Sequence, residues 1–481
     1  MKRSRVVAVQ VLLAVAALAA AGPARAIPAF ARKYGTSCLT CHTAYPKLTP
    51  FGEAFRRNGY RFPGVDSDYV KQETVPLGQE QNKKTFPDSV WPASLPASVP
   101  LAVGANGTMR VWPDKTASTP RGNNGTQFAL DDLVGEAHLW AGAALDDTIT
   151  IWAELTLGGG GADVEHAQVL FNDLVGPKHA VNLVVGKGFP IITSFGAHSS
   201  YIADQGIASA PVSAMLLGSG DPFVLVDNVT GGEVSGVIEG RVDYNLGLAA
   251  GKNSSTFGAF NSENWYAHVG FKLGGMRLDG EGATGAEDPL HPWAETALTV
   301  DGFYYHSNEH LDDPTSATPL ADVSSTVGGQ VRGQLGSLEL NAGYYSQRHD
   351  RGWVNTAALP APALAKVTAG VFYGELSYVV FPWMIPAIRV ENISLDPSGG
   401  ARVSDLHIMP GIAFLIRPNL KLVVAGNIES TNGYPLDPTG ASVAWQGGAA
   451  DWGAFVAAPP ASGATKKQEF ESLAFFLAWA M

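Results

Sequence analysis

Long apolar runs are missing from this chain once its first 26 residues are passed. No later stretch approaches the roughly 18 consecutive apolar residues that a membrane-spanning helix requires. Cysteine is nearly absent, with two in 481 residues, which excludes a disulfide-stapled scaffold. Charge is sparse at 16%, and cations are the minority, 32 Lys and Arg against 44 Asp and Glu. That balance argues against nucleic acid as a partner and suits cationic partners or metal ions. Metalloprotease motifs, nucleophile elbows and phosphate loops are also missing, so nothing points to a conventional hydrolase or transferase.

What is present begins with an export signal. Lys2, Arg3 and Arg5 form a positive n-region, Val6 to Ala21 an apolar h-region, and Ala24-Arg25-Ala26 a small-residue cleavage site. Gln10 interrupts the apolar run and Gly22-Pro23 closes it, against an uncleaved anchor. The mature chain is expected to start at Ile27. Loss of the four cations in residues 1–26, and of no acids, takes the net charge from −12 to −16. In the oxidising compartment beyond, a bare Cys-x-x-Cys closes into a disulfide unless something else consumes the thiols.

About 455 mature residues would ordinarily make two or three soluble domains. The texture reads otherwise. Fifty-five glycines, 10% aromatics and alternating runs of eight to twelve residues fill the chain beyond residue 100. In "WYAHVGFKL" Trp265, Ala267, Val269, Phe271 and Leu273 oppose Tyr266, His268, Gly270 and Lys272. In "TVGGQVRGQL" Val327, Val331 and Leu335 oppose Gln330, Arg332 and Gln334. "TITIWAELTL" and "NLKLVVAGNIES" alternate in the same way. One face meets something apolar and the other meets water.

Tight connections at 274–275, 335–337 and 417–419 contrast with long ones around 190–220, 309–322, 350–365 and 431–466. Short turns at one end and long loops at the other predict an all-β fold, an outer-membrane antiparallel β-barrel of about 16 strands. A soluble β-sandwich or propeller also alternates, but no repeat of blade length is present. "SLAFFLAWAM" reads as the last strand, with Trp479 on its apolar face and Met481 in the place where an aromatic residue is usual. The expected division is a signal peptide (1–26), a cysteine segment (27–63), a proline-spaced extended linker (64–100) and the barrel (101–481). This places the protein in the lipid bilayer of a Gram-negative outer membrane.

The cysteines fall in "TSCLTCH". Covalent haem attachment needs two thiols that add across the vinyl groups and an imidazole beside the second thiol to reach the iron. Cys38, Cys41 and His42 supply these at the required spacing. A redox dithiol and half of a zinc site compete, but no thioredoxin-like pattern surrounds the motif and no second ligand pair follows. Thr49-Pro50 reads as an N-cap and first helical residue, and Asn58-Gly59 as a stop. Phe51 and Phe55 lie one turn apart on that helix, to cover a haem face or simply to pack it. Arg56, Arg57 and Arg61 read as propionate partners or as a solvated basic face.

A segment of about 37 residues is below the size at which a core stabilises itself. Between residues 43 and 108 there is no His and no Met. A second iron ligand of the usual kind would therefore come from the barrel, with the segment docked in its mouth or lumen. By parity His138, His166, His268, His407 and Met409 face inward and Met109 does not. His138 is the first candidate for the distal position, followed by His407 or Met409; for each lone His, a lumen-lining role is the alternative.

"IPAFARKYGTSCLTCHTAYPKLTPFGEAFRRNGYRFP" resembles the haem segment of the fused outer-membrane monohaem cytochrome–porins of iron-oxidising bacteria. The likeness covers residues 27–63 and rests mostly on Pro46, Leu48, Phe51 and Gly52 after the Cys-x-x-Cys-His core. It implies one covalent haem c on Cys38 and Cys41, with His42 as axial iron ligand, ahead of a porin-like barrel. The function so implied is an electron conduit, oxidising an extracellular donor such as iron(II) and passing electrons to a periplasmic carrier. Delivery to an extracellular acceptor, and a solute channel whose haem segment is a plug or sensor, are the alternatives. Acidic loop residues such as Asp312 and Asp313 read either as cation attractors or as ordinary solvated charge.

Overall fold

The computed structural model describes residues 29–63, 66–75, 80–89, 95–96, 100–112, 127–158, 161–188, 192, 198–202, 229–250, 264–283, 290–311, 320–355, 363–398, 402–436 and 461–480. Sixteen antiparallel strands form one closed barrel in which each strand pairs with its sequence neighbours. They are β1 (Leu101–Trp112), β2 (Gln127–Ala144), β3 (Ile149–Gly158), β4 (Gly161–Phe171), β5 (Asn182–Gly188), β6 (Val229–Ile238), β7 (Val242–Ala249) and β8 (Trp265–Gly274). The circuit continues through β9 (Glu295–Leu311), β10 (Leu320–Gly336), β11 (Leu338–Asn355), β12 (Ala363–Tyr378), β13 (Met384–Pro397), β14 (Val403–Arg417), β15 (Leu420–Leu436) and β16 (Ala461–Ala480). Closure joins β16 to β1, from Leu473 opposite Val111 to Ala480 opposite Gly104. A closed ladder has no edge, so every strand is hydrogen-bonded on both sides, as a bilayer core demands.

Closure decides which face is which. On β10 Val327 and Leu335 are 60% and 68% exposed, whereas Gln330 and Arg332 are buried. On β8 Trp265, Val269, Phe271 and Leu273 are exposed, and Tyr266, His268 and Lys272 are buried. The apolar face points out, towards lipid. The polar face lines the lumen, where its charges pair: Lys272 Nζ lies 2.8 Å from Glu295, and Arg389 contacts Glu391. This is the inside-out pattern of a membrane barrel.

The strand ends separate into two rims. At one rim the connections include 145–148, 239–241, Ser337 and 418–419; at the other they include 113–126, 189–228, 312–319 and 437–460. By the usual asymmetry the short-turn rim is periplasmic. One expected tight turn is not tight. Gly274 ends β8, but β9 begins only at Glu295; Arg241 Nη1 donates to the Gly274 and Gly275 carbonyls, and the connection folds back onto the N-terminal segment. Asp312, Asp313 and most of the long loops lie outside the described residues, as do residues 1–28.

The N-terminal segment sits against the lumen wall near the short-turn rim. It carries α1 (Ala29–Tyr34), α2 (Cys38–Cys41), α3 (Pro50–Arg57) and α4 (Asp66–Tyr69). Its own core is small: Tyr34, Phe51, Phe55 and Phe62, closed by Met276 from the connection after β8. Asp66 binds Tyr34, Lys33 and the Phe62 amide. The stretch expected as an extended linker therefore begins with a short helix anchored by a buried carboxylate, because Asp66 has donors to satisfy it.

Ion pairs hold the segment in place. Arg332 of β10 contacts Glu53, Arg57 reaches Asp243 of β7 at 3.4 Å, and Lys47 Nζ donates to Glu339 of β11 at 2.6 Å. Arg61 pairs with Asp173 at 3.0 Å and donates to the Asp147 carbonyl. The three arginines expected to serve propionates or solvent thus divide: Arg57 and Arg61 are docking groups. Aromatic stacking adds Phe30 and Tyr60 on Trp152, at 6.1 and 5.0 Å between ring centroids. Gly142 makes room, since a Cβ there would stand 2.7 Å from the Phe30 ring.

Burial alone would raise the Glu53 pKa, but Arg332, Arg57 and Lys272 hold it well below the usual carboxylate range. A depressed folded pKa gives stability that is full above the unfolded value and lost as pH falls. Docking is therefore expected to be insensitive to pH above about 5 and to loosen on acidification. Glu53→Gln should weaken it by about 3–5 kcal/mol by leaving Arg332 short of a partner. Hydrogen exchange of α3 should accelerate while the barrel keeps its heat-modifiable mobility on gels; unchanged exchange would contradict the ion-pair account.

Candidate functional site

The Cys-x-x-Cys-His stretch is organised by local hydrogen bonds. Ser37 caps α2 by accepting from the Leu39 amide, and the His42 amide donates back to the Cys38 carbonyl. His42–Ala44 then pairs with Lys47–Leu48 as a short hairpin. Thr49 ties the return to the motif: its amide donates to the Cys41 carbonyl at 2.9 Å and its hydroxyl to the Thr40 carbonyl at 2.8 Å. The same hydroxyl accepts from the Gly52 amide, capping α3 as the Thr-Pro pair predicts. Gly52 is obligatory here, because a Cβ would stand 2.0 Å from the Cys41 carbonyl oxygen.

Cys38, Cys41 and His42 are not fully covered, although Cys41 and His42 lie deep among protein atoms. Partial exposure at that depth leaves a recess beside them. The thiols are not joined. Burial pushes both up, Cys41 to about 12, the reverse of the lowered value that a redox dithiol requires. Among the described residues no group of three metal-ligating side chains includes either cysteine. Burial takes His42 down to about 4 against its backbone hydrogen bonds, so its imidazole is neutral at working pH. Nδ1 lies 3.3 Å from the Pro46 carbonyl oxygen. That oxygen can only accept, so Nδ1 carries the proton and the Nε2 lone pair is left over.

A second imidazole shares that carbonyl. His198 Nδ1 also lies 3.3 Å from the Pro46 oxygen, and the Leu48 amide donates to the His198 carbonyl at 2.8 Å. His198 belongs to the connection between β5 and β6, part of which folds into the lumen: Ser200 and the Tyr201 amide bind Glu375 of β12. Beside it, half-buried Arg56 places its Nε out of solvent without a hydrogen-bond partner among the described residues. Arg56 acts electrostatically on His198, whose pKa, lowered first by burial, falls to about 3. Sequence parity had no means of finding His198, which lies outside every alternating run.

The distal candidates are placed elsewhere. His138 does not approach His42; its ring stacks on Trp140 at 5.3 Å, Trp140 meets Tyr45 at 6.0 Å, and Tyr45 meets His42 at 5.6 Å. His407, two residues before Met409 on β14, binds Asn427 of β15. His268 binds Asn245, and His166 binds Glu154 at 2.8 Å. Phe51 and Phe55 fill the segment's own core, the ordinary packing alternative.

No family model and no curated protein matches the chain. Solved structures do. An anion-selective porin from Comamonas acidovorans aligns with 80% of this chain and 99% of its own at 11% identity and a TM-score of 0.49. The trimer form of OmpT, an outer-membrane protein of Vibrio cholerae, covers the same shares at 11% identity and 0.47. The outer-membrane channel DcaP of Acinetobacter baumannii aligns over 80% and 97% at 7% identity and 0.46. By its closure and its reversed polarity the chain is an outer-membrane β-barrel of 16 strands.

Gly52→Ala is expected to push α3 off the Cys41 carbonyl at a cost of about 1–3 kcal/mol or more. Amide exchange across Cys41–Thr49 should rise with the barrel unaffected. Protection equal to the parent's would mean that the close approach is not needed.

Proposed function

We propose that this protein is an outer-membrane electron conduit, carrying one haem c on Cys38 and Cys41 with His42 as an axial ligand. The observation that carries the proposal is the preparation of His42. Its Nδ1–H is committed to a backbone carbonyl, and its neutral Nε2 is left for iron in a recess beside two unjoined thiols. A hydrogen bond of that kind fixes the tautomer and the ring plane of a metal-bound histidine. The unpartnered Nε of Arg56 is a fitting contact for a propionate. Bound there, haem would supply a one-electron couple whose potential depends on its ligands and burial. The protein's part is to hold that couple within the membrane's thickness, between an extracellular donor and a periplasmic carrier. His198, which shares the Pro46 carbonyl, is the barrel-side imidazole of the recess, in place of His138.

A plugged channel is the second reading, favoured by the occupation of the lumen by residues 29–63 and 198–202. Planar-bilayer conductance separates the two: a conduit is expected to pass little current.

In a host that matures c-type cytochromes, the intact mass should exceed that of the mature chain by one haem, and Cys38→Ala with Cys41→Ala should remove it. An unmodified parent mass would refute the proposal. His198→Ala should shift the haem absorption spectrum, and His138→Ala should leave it unchanged; the opposite pattern would return His138 to the distal position.

A further inference from the structure

We infer that His138, Glu154 and Glu165 form a binding site for a divalent transition-metal ion in the lumen wall, and that this is where the conduit's donor binds. The second half rests on the function proposed above; the first does not. One ligand atom from each of the three residues lies within 4.8 Å of the others. Atoms that share an ion at about 2.0–2.2 Å must lie roughly 3–4.3 Å apart, so small side-chain shifts close the set. One imidazole and two carboxylates suit first-row divalent ions such as iron(II), manganese(II) or zinc(II).

The backbone builds the site deliberately. Glu154 of β3 pairs with His166 of β4, and Leu155 pairs with Val164, so Glu165 is the extra residue of a β-bulge. Bulges re-aim side chains and concentrate beside functional sites. This one brings consecutive residues to the same cluster: His166 Nδ1 binds Glu154 Oε2 at 2.8 Å, and Glu165 bonds the Thr156 hydroxyl. Asn106 orients the imidazole from outside the set: its side-chain amide lies 3.1 Å from His138 Nε2, and turned so that its oxygen accepts from Nε2–H it leaves Nδ1, 3.0 Å from Glu154 Oε1, as the ligand atom. Glu136 adds a further carboxylate 3.7 Å from His138. The charged groups acting most strongly on Glu165 are Glu154, His138 and Glu136, so the cluster is rich in negative charge.

Position gives the site its use. His138 lies two residues further from the short-turn rim than Trp140, on the side of the long loops. Stacked Trp140 and then Tyr45 connect it to His42 by ring-to-ring steps of 5.3, 6.0 and 5.6 Å. A ferrous ion bound at the three ligands would lose one electron and become ferric, and the iron at His42 would gain that electron. No bond to carbon is made or broken, and the ferric ion leaves towards the outer side.

The test is titration of the purified, full-length haem-loaded protein with manganese(II), followed by electron paramagnetic resonance. One saturable ion per chain is expected. Glu154→Gln with Glu165→Gln should weaken it at least tenfold, and Asp163→Asn on the same strand should not. Preserved haem absorption and heat-modifiable mobility would show the variants folded. Absence of saturable binding, or equal binding in the double variant, would overturn the site even if haem is present; a haem-free parent would instead sink the conduit while manganese binding still reported on the site. Tyr45→Leu should leave manganese affinity unchanged and slow haem reduction by iron(II) at least tenfold in stopped flow. An unchanged rate would overturn the relay.

Discussion

Every charge that the N-terminal segment brings into the barrel must be answered by the wall. Lys47, Glu53, Arg57 and Arg61 enter a lumen with little water to solvate them, and a buried charge without a partner costs several kcal/mol. Arg332 and Glu339 sit at the centre of the answer. Arg332 Nε lies 2.9 Å from Glu339 while the same arginine reaches Glu53 and the same carboxylate takes Lys47. Two segment residues and two wall residues therefore form one network, which makes register more specific than hydrophobic packing alone. A slide of one residue would separate all of these charges at once. The recess containing Cys38, Cys41 and His42 inherits its place from that network.

Much of the fold could be read from alternation. Gln330, Arg332 and Gln334 were separable from Val327, Val331 and Leu335 by parity, because a strand's side chains point to opposite faces. Which set met lipid could not be read, since a soluble sheet shows the same alternation with the apolar face inside; only closure settles it. The turn signal at Gly274-Gly275 misleads about length. Both glycines adopt positive φ, 73° and 54°, as a tight turn would require, yet the chain uses them to leave the sheet and cover Phe51 and Phe55.

The site was legible where chemistry is local and illegible where it is assembled. Cys38, Cys41 and His42 are contiguous, and Thr49-Pro50 marks the helix that backs them. His198 is brought to the Pro46 carbonyl by an inward fold of a connection with no periodicity to reveal it. Glu165 is the complementary failure. Strict alternation on β4 gives the lumen to one residue of each consecutive pair, and the bulge between Val164 and His166 breaks that rule beside His138 and Glu154. His138 does line the lumen, as its parity predicts, with Trp140 and Tyr45 between it and His42.

Protein packed inside the lumen changes what a barrel can do. On the inner face of β12 and β13, Val367, Val371, Ile393 and Leu395 pack with Tyr345, Tyr373 and Ile192 of the inward connection, while residues 29–63 occupy the short-turn side. Solutes need continuous water, and each apolar contact of this kind removes some. Electrons need only closely spaced acceptors and a rigid medium between them, and dense packing with stacked rings provides both. Under the proposed conduit function, the contacts that remove water from the lumen would also favour tunnelling, and the cost of burying so many paired charges would be offset by a fixed distance from His138 to His42.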